Sequence, residues 1–114
     1  MNIVLDTKKD KELFNETAKE WARKIERTKK TQVRNFYDKV LELESDMKKE
    51  GSENILPFIK MLNSKVAYAV NRRVASSEFQ EMIESCIKQV DSEDKFKTFK
   101  LFFEAVIGFY KGRD

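Results

Sequence analysis

Apolar residues recur three and four positions apart along most of the chain, the period of helices with one buried face. Five segments carry this period. The spacing predicts a first helix from about Lys8 to Thr28, with Leu13, Phe14, Thr17, Ala18, Trp21 and Ile25 on its thin apolar stripe. A second, opening at Thr31 as N-cap and running to about Lys49, places Val33, Phe36, Tyr37, Val40, Leu43 and Met47 on one face. Gly51 follows as a stop signal, with Lys48 and Lys49 in the last turn where the helix dipole favours cations. Ser52 to Asn54 read as a turn, and Pro57 suits the first turn of a third helix that reaches about Arg73. That helix is expected to bury Phe58, Ile59, Leu62, Val66, Ala69 and Val70.

Ser77 and Gln80 have capping-box spacing for a fourth helix, whose stripe is Phe79, Met82, Ile83, Cys86, Ile87 and Val90. Asp91 to Asp94 place acids at the positive end of a fifth. Its apolar residues, from Phe96 through Phe99, Phe102, Phe103 and Val106 to Tyr110, cover about half the circumference, so it is expected at the centre. Phe102 and Phe109 fall at the margin of that face, where a partner subunit is a possible neighbour. The fold expected is all-α, a compact bundle of about five helices in a single domain over 1–114, with both ends frayed.

Composition removes most enzyme classes. The chain has 114 residues, no histidine, one cysteine and three glycines. The commonest general base, a thiolate zinc site, an internal disulfide and a phosphate-cradling glycine loop are all missing. Cys86 lies on an apolar stripe and reads as an inert buried thiol. No catalytic residue, metal site or cofactor is expected. No window approaches the roughly 18 apolar residues of a membrane span, and the short, quickly polar start does not resemble a secretory signal. A free thiol without a signal fits the cytoplasm. The Asn15-Glu16-Thr17 sequon then has no role.

Charge is locally uneven although the net value is only +3. Between Arg23 and Arg34 stand Arg23, Lys24, Arg27, Lys29, Lys30 and Arg34 against Glu26 alone. From Pro57 to Ala75 there are Lys60, Lys65, Arg72 and Arg73 and no acid. At about 100° per residue, Lys65, Tyr68 and Arg72 share one strip beside the apolar face. Two cations bracketing a tyrosine suit a nucleic-acid backbone, the cations meeting phosphates and the ring a sugar or base. The same residues equally serve as a solvated helix edge. Arg73 falls at the centre of the apolar face unless the helix stops before it. Ser76 to Asp94 is acidic, and such a helix has the charge to dock on the basic third helix of another copy.

Three motifs add a resemblance. Thr31-Gln32-Val33-Arg34-Asn35-Phe36-Tyr37 resembles the Thr-Gln-Ile/Leu-Arg-x-Phe/Tyr signature of the CRISPR type III-A (Csm) small subunit. Lys65-Val66-Ala67-Tyr68 with Arg72 is similar to that family's Lys-x-Ala-Tyr-x-x-x-Arg segment. Phe99, Phe103-Glu104-Ala105-Val106-Ile107 and Phe109-Tyr110 resemble its C-terminal pattern. The likeness covers about 31–111, and the segment 1–30 matches loosely. It implies a non-catalytic RNA-binding subunit of an RNA-guided antiviral complex, present in several self-associating copies beside backbone and large subunits. Its partners would be guide RNA and target RNA, with no membrane involved. By position, Lys30, Arg34, Lys65, Tyr68, Arg72 and Arg73 would form the nucleic-acid face. The competing reading is a helical protein–protein adaptor without RNA.

Overall fold

The computed structural model describes residues 2–112. Wherever the apolar period is strong, helix forms. The helices are α1 (Ala18–Lys24), α2 (Lys30–Glu50), α3 (Ser52–Lys60), α4 (Leu62–Asn71), α5 (Ser77–Ile87) and α6 (Glu93–Phe109). Met61, between α3 and α4, keeps a right-handed backbone (φ −67°, ψ −16°), so the bundle has five helical rods as expected. No strand occurs among the described residues.

Helix α6 is central, packed against α1 and α2, while α4 runs along α5 and α3 folds back on α2. Phe96, Phe99, Phe102, Phe103 and Val106 of α6 are completely buried, as are Phe79, Met82, Ile83, Cys86 and Ile87 of α5. Phe102 therefore faces the core and not a partner, while Phe109 does lie at the margin. Aromatic rings connect three rods. Phe36 of α2 meets Phe79 of α5 edge-on at 5.3 Å, and Phe79 lies 6.2 Å from Phe103 of α6. Tyr37 stands at 5.7 Å from the same Phe103. Offset and edge contacts of this kind add to the area that the rings bury.

The Tyr37 hydroxyl donates to Glu104 Oε2 at 2.9 Å, joining α2 to α6. Burial, then that carboxylate, pushes the phenol up to about 12 from 10.0. The folded state holds this proton more tightly than the unfolded chain. Its contribution is fully present below the ordinary tyrosine value and is lost as pH rises through about 12. Urea midpoints followed upward through that window should fall more steeply for the wild type than for Tyr37→Phe. Equal slopes would remove Tyr37 as the source.

Local boundaries depart from the sequence expectation where distant groups take over. The first helix is shorter, a wide turn at Leu13–Thr17 leading into α1. Asp10 supports that turn, accepting from the Glu12 N–H and the buried Thr17 hydroxyl (2.9 and 2.7 Å). Phe14 is left exposed. Lys29, not Thr31, stands at the N-cap of α2 and makes no side-chain cap, while the hydroxyl of the fully buried Thr28 just ahead of it accepts from the Ser76 N–H. Gly51 ends α2 at φ 90°, a conformation that favours glycine. The chain turns there tightly enough for α3 to begin at Ser52, so 52–54 are helical, Pro57 lies inside α3, and Ile55 joins the core. Phe58 then points to solvent. Ser76, one residue before the expected cap, accepts from the Phe79 N–H (3.2 Å).

The N-terminal stretch is not frayed. Ile3 and Leu5 are buried, and one side chain holds them: Gln89 accepts from Leu5 N–H (2.9 Å) and donates to the Ile3 carbonyl (2.7 Å). It also donates to Ser85, while Lys95 Nζ reaches the Leu5 carbonyl. Gln89→Ala should cost about 1–3 kcal/mol, the range for stranded buried amide groups. Faster amide exchange at Leu5 is the accompanying signature, and unchanged protection there would contradict the assignment.

Candidate nucleic-acid interface

Two helices that each bury one face against a shared core leave a groove between their polar flanks. Here residues of α2 and α4 line such a groove, of about 310 Å³. The floor is apolar, made by Phe36, Leu62 and Ala69. Lys65, Tyr68 and Arg72 form one wall, and Gln32, Asn35 and Lys39 the other. No acidic residue lines it.

The wall on α4 follows from helical phase. Lys65, Tyr68 and Arg72 recur at intervals of three and four, so they stack along one flank while Leu62, Val66 and Ala69 turn inward. Tyr68 is 63% exposed, the most open of the large apolar side chains among the described residues. The Arg72 guanidinium lies over its ring at 5.5 Å, an arrangement that holds both side chains against solvent. Among the described residues, Lys65 and Arg72 make no ion pair with a carboxylate. Lys39 does pair with Glu42, at 3.5 Å.

Lys60 differs from the other cations of the acid-free stretch. Its ammonium donates to the Ile87 and Val90 carbonyls at 2.7 and 2.9 Å, closing the C-terminal end of α5. The Ile87 carbonyl also accepts from the Val90 N–H (3.1 Å), so the lysine and the backbone together fasten the turn that follows α5.

The six residues singled out from sequence fall into three places. Lys65, Tyr68 and Arg72 share the groove. Lys30 and Arg34 line a neighbouring hollow of about 450 Å³, with Ile107 and Tyr110 of the chain's last turn, and Asn35 borders both spaces. On α2, Arg34 and Lys39 stand roughly 140° apart at 100° per residue, on opposite sides of the buried face. Tyr110 donates its hydroxyl to the Thr28 carbonyl beside this hollow. Arg73 lies elsewhere again. Helix α4 ends at Asn71, Arg72 caps it, and Arg73 turns left-handed at φ 64°, which carries its side chain out of the apolar face to solvent. It borders a separate hollow with Arg27 and Glu78. Gln32, Asn35 and Lys39 were not singled out from sequence; their spacing of three and four along α2 was the available signal.

Among the described residues, no group of three or more His, Cys, Asp or Glu converges to hold a metal. Cys86 is buried, and burial raises its thiol well above the ordinary range, away from the reactive thiolate. No helix among them is long and apolar enough to cross a membrane.

A comparison with family models matches residues 8–113 to the family described as Csm2 Type III-A. No curated protein and no solved structure matches the chain.

Proposed function

Because the chain belongs to the Csm2 Type III-A family, whose place is that of a small subunit in the Csm effector complex, we propose that it is a non-catalytic RNA-binding element. The α2–α4 groove is its principal contact with guide and target RNA. The observation that carries this reading is the exposure of Lys65, Tyr68 and Arg72 in one groove without a carboxylate on its walls. Cations without a carboxylate partner neutralise phosphates, and the counterions released make the contact salt-dependent. Lys30 and Arg34, across Asn35, extend the basic surface, and Arg73 with Arg27 supplies a separate cationic point. Sequence choice belongs to guide–target pairing, while the protein reads backbone and shape.

A net charge of +3 supports weak binding by one copy. Several copies on one strand multiply modest contacts by raising the effective concentration of each next site. Self-association and docking on backbone and large subunits belong to the same reading. Filter binding of single-stranded RNA across a salt series tests it. Retention at low salt, with a slope that drops by about 0.7 for each of Lys65→Ala and Arg72→Ala, is the expected result. A protein–protein adaptor would retain no RNA even at low salt.

A further inference from the structure

The three most exposed large apolar side chains among the described residues are Tyr68, Phe58 and Met61, at 63%, 56% and 51%. They are not scattered. Phe58, Met61, Lys65, Tyr68 and Arg72 follow one another at intervals of three and four, a single flank continued from α3 into α4. Lys39 and Lys65 border both the groove and a hollow of about 350 Å³ lined by Phe58 and Met61, so the two spaces adjoin. Backbone neutralisation needs cations alone. Unburied rings along the same flank have no part in it.

We propose that this flank takes unpaired RNA nucleotides, with Tyr68 and Phe58 serving as platforms on which bases stack. The inference rests on the RNA reading above and specifies which form of RNA the groove receives. In a duplex the faces of the bases are covered by their neighbours, whereas an unpaired base offers a face to an aromatic ring or guanidinium plane. The Arg72 guanidinium over the Tyr68 ring provides both kinds of surface in one stack. Stacking of this sort tolerates any base, so it leaves sequence choice to pairing. Asp46 and Glu50 rim the Phe58 end. They repel phosphate there, which keeps the backbone along Lys39, Lys65 and Arg72 and leaves Phe58 to a base.

Fluorescence anisotropy with the full chain at low salt distinguishes the possibilities. The probes are a labelled oligouridylate, the same strand paired with oligoadenylate, and an abasic strand of equal length. The single strand should bind more tightly than either control. Tyr68→Ala and Phe58→Ala should each weaken it by roughly 5- to 150-fold, the value of stacking one base, with the salt slope unchanged. Tyr68→Phe should bind like the wild type. Equal affinity for the abasic strand, or wild-type binding by both alanine variants, overturns the stacking proposal; the cation reading then still stands on the slopes of Lys65→Ala and Arg72→Ala. Absence of binding to every probe removes both. If the alanine variants at Phe58 and Met61 keep RNA affinity but no longer co-purify with the other subunits, the strip is a protein surface and the proposal is lost.

Discussion

Reversing two charges together, Lys65→Glu with Arg72→Glu, is expected to abolish RNA retention while the folded chain still enters its complex. Both side chains are exposed and neither forms an ion pair among the described residues, so the native state loses little. The cation–π contact of Arg72 with Tyr68 is the main internal interaction removed, worth about 0.5–1 kcal/mol at an exposed site. For RNA the change is far larger. Two attractive phosphate contacts become two repulsive ones in a groove without other strong cations besides Lys39, and like-charge apposition costs several kcal/mol. Affinity should fall by about 100-fold or more. Filter binding measures the first consequence, and co-purification with the remaining subunits measures the second. Assembly lost with RNA binding intact would assign the groove to a protein partner.

The second large effect concerns the floor beneath that groove. Phe79→Ala should destabilise the chain by about 3–5 kcal/mol, since the ring is completely buried and the void it leaves cannot close without moving three rods. Phe36, which it touches edge-on, is itself part of the groove floor. Against a total stability of about 5–15 kcal/mol this is a major fraction. A urea midpoint lowered at unchanged slope is the expected measurement. Phe58→Ala provides the contrast: an exposed ring whose removal should change stability by no more than about 0.5 kcal/mol. A loss below 1 kcal/mol at Phe79 would mean that the aromatic chain does not hold the rods together.

These two phenylalanines also show what was legible in the sequence. Period alone identified the inward faces of α5 and α6, because their long apolar runs leave one way to turn. Phe58 carried the same periodic signal and yet faces solvent. Its helix starts earlier than Pro57 suggested, and the turn at Gly51 that permits this depends on how α3 folds back on α2. Ser77 was misplaced as a cap for a related reason. Thr28 and Ser76, far apart in sequence, bond to each other, and local propensity contains no trace of that pairing. Ile3 and Leu5 sit in too short a run to show a period, so only the amide of Gln89 reveals why they are buried.

The candidate site was readable on one wall. Lys65, Tyr68 and Arg72 belong to a single helix, and phase within a helix follows from its sequence. The opposing wall needs the rotation of α2 about its own axis relative to α4, which only docking fixes. Hence Gln32, Asn35 and Lys39 face the groove while Arg34, from the more conspicuous motif, looks into the neighbouring hollow. Lys60, grouped with the other cations by proximity, is consumed by the Ile87 and Val90 carbonyls.

That use of Lys60 has a mechanical side. Helix α5 is gripped at its beginning through Ser76 by Thr28, just ahead of α2, and at its far end by Lys60 of α3. The α2 rod and the α3–α4 rod, which flank the groove, are thereby lashed to one common strut. On the RNA reading proposed above, an incoming strand meets a slot held through both of its flanking rods, and little ordering entropy is surrendered when it enters.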